Sequence, residues 1–266
     1  MNFECARALS GVVKKVKEGN PDLHAQFVVS NCKIALCYLN HIHQIGIDTY
    51  PPIAVSLCRT FYEIVCSTMY LAENKGELSD FLKFGRLMYY DMGEAQNLTG
   101  NILNKLVPDH EELRVYFKAK KDKSGGKQKQ LSWHGMSIVE LGKAVGMEEF
   151  AEDESDVKFR RSHYSRTSKV VHGDSLISLL AYNFDENGVE PTPFAPPMEA
   201  FRVDALGLPC PLFIVLLASV GVGLSIDITS EYDRLNGVWR KVWEEATGTK
   251  VTTPLDPPLS VITETA

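Results

Sequence analysis

From Ala205 to Ile226 the chain carries no charged residue, and Leu212 to Leu217 is apolar without interruption. Such a stretch has to leave water, inside a folded core or inside a bilayer, and the rest of the chain has to supply its surroundings. Pro209 and Pro211 break its start, so the uninterrupted helix is expected from Leu212 to Ile226. That is about 15 residues, short of the roughly 20 that a membrane span needs. The run therefore reads as a buried core helix, with a membrane segment as the alternative.

The surroundings it needs are helical. Residues 3–18 form an amphipathic pattern that stops at Gly19-Asn20-Pro21. Asp22 to Ile45 follows with Gly46 as its C-cap, then a turn over Asp48 to Pro52, then a long helix from Ile53 to Asn74. Ser79 to Leu106 reads as one helix, with Gly85 and Gly93 as close-contact or bend positions, and Pro108 opens another from Asp109 to about Ala119. Between Arg114 and Lys129 seven basic residues surround Ser124-Gly125-Gly126, which reads as a flexible, solvated basic loop or as a phosphate-attracting arm. Ser137, followed three residues later by Glu140, makes a capping box for a short helix ending near Gly146. The last long helix is expected from Leu212 to about Glu245.

This order gives a mainly α fold, a helical bundle with a small β-hairpin near Asn187-Gly188 and a long C-terminal helix. The expected divisions are a helical core domain over 1–184, a Pro-rich loop over 185–197, a C-terminal helical extension over 198–247 and a disordered tail over 248–266.

Charge and cysteine usage narrow the function classes. A net charge of −6 excludes a surface built wholesale for nucleic acid, so any RNA site has to be local. The six cysteines show no Cys-x-x-Cys pair and stand in apolar contexts, which reads as reduced core thiols of a cytoplasmic protein. No His, Cys or carboxylate grouping has metal-site spacing, and no phosphate-binding glycine loop is present, so neither a metal nor a cofactor is expected.

The polar residues with a chemical use lie between Phe159 and Leu180. Tyr164, Ser168 and His172 follow one another at four-residue intervals, so on a helix they form one polar stripe where a core stripe would be apolar. Arg166 and Thr167 stand beside it. Upstream, Arg59 and Glu63 are four apart in a nearly wholly apolar helix, as a surface ion pair or as an inward-facing one.

Taken in order, Arg59-Thr-Phe-Tyr-Glu63, Trp133-His-Gly-Met-Ser137 and Tyr164 with Ser168 and His172 resemble a family of uncharacterised, largely bacterial and phage proteins. Its helical domain is similar to a divergent member of the HEPN (higher eukaryotes and prokaryotes nucleotide-binding) superfamily, and the resemblance covers about residues 25 to 183. It implies that Arg59, Glu63, Trp133, Ser168 and His172 are the recurring polar signature. The wider superfamily implies metal-independent endoribonuclease chemistry through an Arg, a polar residue and a later His, met here by Arg166, Thr167 and His172. It also implies a homodimer. In that reading His172 moves a proton, Arg166 meets the phosphate oxygens, Thr167 or Ser168 orients one or the other, and Arg59 and Glu63 hold the helix in register.

The expected function is thus an RNA-directed nuclease of the toxin or phage-defence type. The alternative is a non-catalytic helical binding or scaffold protein in which Ser168 and His172 close a core by hydrogen bonding to Glu63, Arg59 or Trp133.

Overall fold

The structure is a computed structural model that describes residues 1–48, 51–96, 100–123, 131–147, 182–185, 188–191, 207 and 209–248. The described residues are mainly helical and fall into two compact units. One combines residues 1–73 with 146–266, and the other is residues 74–145.

In the first unit, α1 (Asn2–Glu18), α2 (Leu23–Asp48) and α3 (Pro51–Glu73) surround α8 (Pro209–Gly223), and α9 (Thr229–Thr247) closes the set. α3 packs against both α2 and α8, while α1 lies against α2, α8 and α9. Phe213, Ile214, Val215, Leu216 and Leu217 are consecutive on α8 and all buried. Five consecutive buried positions go right round a helix, so this stretch has to sit at the centre of its unit, and this is where the charge-free run goes. Each fully buried large side chain there contributes about 1.5–3 kcal/mol. No described helix is long and apolar enough to cross a membrane. The two prolines do not delay the helix, because a first turn has no backbone hydrogen bond for proline to remove.

Amphipathic spacing explains the outer helices. On α1 the buried residues are Cys5, Ala8, Leu9, Val12 and Val16, one stripe at three- and four-residue steps. On α9 Tyr232, Leu235, Asn236 and Trp239 repeat the same steps. The expected single helix from Leu212 to Glu245 is two helices. Asp227 accepts a hydrogen bond from the Thr229 backbone N–H at 3.0 Å, and Ser225 takes a left-handed φ of 54°, so the polar residues after Ile226 start a new helix. Lys15 holds this turn to α1, donating to the Asp227 carbonyl at 2.7 Å and pairing with Glu231 at 2.9 Å. α2 runs through Gly46 to Asp48 instead of ending there, since an interior glycine costs a helix only about 1 kcal/mol.

Two four-residue strands, β1 (Tyr182–Asp185) and β2 (Gly188–Pro191), pair antiparallel with Tyr182 opposite Pro191. The expected tail beyond Gly248 and the Pro-rich stretch beyond Pro191 lie outside the described residues.

In the second unit a 3-10 turn (Lys75–Glu77) leads into α4 (Leu78–Ala95), followed by α5 (Gly100–Leu106), α6 (His110–Lys123) and α7 (Ile138–Ala144). The helix expected from Ser79 to Leu106 is therefore divided after Ala95. Of its two glycines, Gly93 is the close contact: a Cβ there would sit 2.4 Å from Leu103 Cδ2, while at Gly85 it would meet nothing within 4 Å. α6 is longer than expected and takes in residues 114–123 of the supposed basic loop. Arg114 explains part of this, bridging to Asp91 at 2.5 Å and to Glu94 and Glu111 at 3.1 Å. α7 starts on the expected capping box: Ser137 Oγ accepts from the Glu140 backbone N–H, and the Glu140 carboxylate accepts from that of Ser137.

Candidate functional site

Two polar groups of the described residues fall within the expected signature. The first is the α3 pair. Arg59 Nε donates to Glu63 Oε1 at 3.2 Å, with the Arg59 side chain 24% exposed and that of Glu63 41%. The pair is neither a free surface bridge nor a buried one: the guanidinium lies mostly within the protein and the carboxylate reaches solvent. Four-residue spacing on one helix is enough to bring the two heads together.

The second group is built in the other unit by the Trp133-His134-Gly135 turn, α4 and α6. Trp133 is buried and meets Phe81 edge to face, with centroids 5.4 Å apart. The turn closes because Gly135 takes a φ of +76°. Glycine is needed twice over, since a Cβ would also lie 3.2 Å from both the Lys120 Cγ and the Lys120 carbonyl oxygen. Ser132 Oγ accepts from the Gly135 N–H at 3.1 Å, and His134 Nδ1 accepts from the Met136 N–H at 3.0 Å. Against the turn lies α6, whose Lys120 Nζ donates to Asp80 Oδ2 and to Glu77 Oε2, both at 2.6 Å, and Tyr116 donates to the same Asp80 oxygen at 2.7 Å.

The electrostatics follow from these contacts. Burial pushes the Asp80 carboxyl up, but the hydrogen bonds from Lys120 and Tyr116 outweigh it and leave Asp80 below its ordinary range. Burial likewise pushes Lys120 down, and its bonds to Asp80 and Glu77 reverse that. His134 has no such compensation. Burial first, then the nearby Lys120 charge, lowers it to about 4. With Nδ1 already accepting a backbone N–H, His134 stays neutral near pH 7 and offers its Nε2–H as a donor; the cluster holds a turn rather than moving a proton.

Of the expected site residues, Arg59 and Glu63 are brought together, and Trp133 belongs to the second group. Tyr164, Arg166, Thr167, Ser168 and His172 lie outside the described residues. Among the described residues no group of His, Cys, Asp and Glu is placed to hold a metal ion. Sequence reasoning missed Asp80, Lys120, Tyr116 and His134. His134 stood inside a patch singled out for its tryptophan, whereas Asp80 and Lys120 are 40 positions apart with no local signal joining them.

Comparison with known proteins adds a family. The family described as "Family of unknown function (DUF5677)" matches residues 43–190, which takes in Arg59, Glu63, Trp133 and the stretch from Tyr164 to His172. No curated protein and no solved structure matches the chain.

Proposed function

The chain belongs to this family of unknown function, and from that premise we propose that it is an RNA-directed endoribonuclease acting without a metal, with His172 and Arg166 as its reacting groups. The observation that carries the reading is the Arg166, Thr167, His172 spacing inside the family-matched segment, together with its resemblance to HEPN-superfamily nucleases.

The described histidines support it by being otherwise engaged. His24 Nε2 lies 2.6 Å from the Leu71 carbonyl, His41 Nδ1 2.7 Å from that of Cys37, and His43 meets Asn2. His110 stacks on Tyr90 with centroids 3.9 Å apart, and His134 is held neutral in its turn. Of the seven histidines this leaves His163 and His172, and the motif selects His172.

The chemistry is transesterification. His172 takes the proton of a ribose 2′-hydroxyl, the 2′-oxygen attacks the adjacent phosphorus, and the bond to the 5′-oxygen breaks with that oxygen leaving protonated. A cyclic phosphate and a 5′-hydroxyl result. Arg166 neutralises the phosphorane oxygens, and Thr167 or Ser168 orients the phosphate. Arg59 and Glu63 act through helix position rather than on substrate. A homodimer, a cytoplasmic setting and a role in toxin or phage-defence systems extend the same proposal.

A specific observation favours a second reading: Lys120 is held by two carboxylates of its own unit and Arg114 by three, rather than being offered to a phosphate, as in a scaffold that binds without reacting. Cleavage of a mixed RNA pool in chelator separates the two, with wild type beside His172→Ala and Arg166→Ala and each thermal midpoint recorded. Loss of cleavage in both variants at unchanged midpoints is the expected result. An inactive wild type, with His172→Ala melting several degrees lower, would overturn the nuclease in favour of the scaffold.

A further inference from the structure

The helix α1 presents two opposite stripes of different chemistry. Cys5, Ala8, Leu9, Val12 and Val16 face the core. On the other side Phe3, Arg7, Ser10, Lys14 and Lys17 follow one another at four- and three-residue steps, so they lie along one line of the helix, and all five are exposed. Phe3 is 76% exposed. From Phe3 to Lys17 the line is about 20 Å long. Arg7, Lys14 and Lys17 make it positive, and no acid stands in it.

The neighbouring acids are committed elsewhere. Glu4 pairs with Arg234, and Glu231 pairs with Lys15 at 2.9 Å, both on the side of α1 that meets α9. Glu18 comes only within 3.8 Å of Lys14, and with the two side chains 63% and 78% exposed that pair contributes little. Arg7 and Lys17 form no ion pair among the described residues. The helix dipole accounts for a lysine in the last turn of α1 but not for Arg7 in the second. In a chain of net charge −6 this line is a local, uncompensated positive surface.

We propose that this outer face of α1 binds single-stranded RNA, with Arg7, Lys14 and Lys17 on backbone phosphates and an unpaired base stacked on Phe3. Charge complementarity selects a polyanion, and the exposed ring selects one whose bases are free to stack. An anionic membrane fits less well. A helix lying in a bilayer surface buries a broad apolar face, and that of α1 is already buried in the core, leaving Phe3 as its one largely exposed apolar side chain. Contacts to phosphates and a ring read no sequence, so the binding is weak, general and sensitive to salt. The choice of RNA as the polyanion rests on the nuclease reading above. The surface itself belongs to this chain and not to the shared family segment, which begins at residue 43.

The test uses the full chain and a fluorescein-labelled oligouridine of about 12 nucleotides. Its riboses are 2′-O-methylated, so it has no 2′-hydroxyl to attack and binding is read apart from cleavage. Anisotropy is followed from about 50 to 200 mM salt. The triple variant Arg7→Gln, Lys14→Gln, Lys17→Gln is expected to bind at least about ten times more weakly and to reduce the slope of log affinity against log salt by about 2. Phe3→Ala is expected to bind at least about five times more weakly with the slope unchanged. A control triple, Lys105→Gln, Lys118→Gln, Lys123→Gln, removes exposed lysines of α5 and α6 and is expected to bind as the wild type does. All these side chains face solvent, so thermal midpoints should not move. The proposal is overturned if the wild type does not bind, if its affinity ignores salt, if the α1 triple binds normally, or if the control triple loses as much. Wild type that sediments with phosphatidylglycerol vesicles but ignores the oligonucleotide overturns it in favour of a membrane. Cleavage is scored separately on unmodified RNA. Binding without cleavage refutes the nuclease and keeps the surface, whereas undiminished cleavage by the α1 triple, with RNA below saturation, keeps the nuclease and overturns the surface.

Discussion

Lys120 Nζ and Asp80 Oδ2 meet at 2.6 Å, joining α6 to the start of α4 across 40 positions of sequence. Their side chains are 22% and 13% exposed, so the pair works in a partly desolvated place where losing one partner strands the other. Asp80→Asn is expected to cost about 2 kcal/mol at pH 7, within the range for breaking a hydrogen-bonded charge pair. The sign with pH follows from the direction of the shift. A carboxyl lowered in the fold contributes stability above its unfolded value near 4 and loses it as pH falls through its folded value. Urea midpoints of wild type and variant should therefore converge once pH has fallen below the ordinary carboxylate range and through the lowered value of the fold. Equal midpoints at pH 7 would show that Asp80 does not hold the helices together.

His134 acts over a higher pH window than Asp80. It is held at about 4 in the fold against roughly 6.5 in an unfolded chain. Unfolded molecules therefore bind a proton first as pH falls, and the fold loses stability from about pH 6.5 down to about 4, levelling off below. The expected loss is about 3 kcal/mol. His134→Asn, whose side-chain oxygen can take the place of Nδ1 as acceptor, should flatten this part of the profile. Thermal midpoints at half-unit pH steps decide it, and parallel curves for the two proteins would rule the prediction out.

Three glycines should respond in opposite directions. Gly135→Ala combines a left-handed φ with a Cβ crowding the Lys120 backbone and is expected to lose about 1–3 kcal/mol. Gly93→Ala meets Leu103 instead and should also destabilise. Gly85→Ala, mid-helix and in open space, should gain about 0.5–1 kcal/mol. Chemical denaturation of the three variants checks this, and a destabilised Gly85→Ala would contradict the account of α4.

Arg59 and Glu63 should couple weakly. The partial exposure of Glu63 lets water screen the pair, so a double-mutant cycle with alanine is expected to return a few tenths of a kcal/mol. Arg59→Ala should cost more than Glu63→Ala, because its less exposed side chain loses packing as well as charge. A coupling above about 2 kcal/mol would instead require a pair shielded from solvent.

What was legible in the sequence was local. The Ser137–Glu140 capping box needs only its own three-residue spacing and stands where expected. The Arg59–Glu63 contact was legible for the same reason, while its depth was not, since exposure is set by neighbouring helices. The charge-free run was placed correctly as core because its uninterrupted part is too short for the alternative, a membrane span. Its end was misjudged because the signal that starts α9 is a single Asp227-to-Thr229 bond beside an apolar stretch that reads as continuous. Asp80 with Lys120 left no trace, since pairing over 40 positions is fixed by packing and not by periodicity.

α8 also bears on how the family segment is to be used. The matched span of 43–190 contains α3 but neither α8 nor α1. A fragment cut to those limits would leave bare the side of α3 that α8 covers, and with it much of the surface that keeps the first unit folded. Such a fragment is expected to aggregate rather than to report on activity. The boundary by which these proteins are grouped and the boundary within which this one folds do not coincide, so deletions of this chain have to retain residues well outside the shared segment.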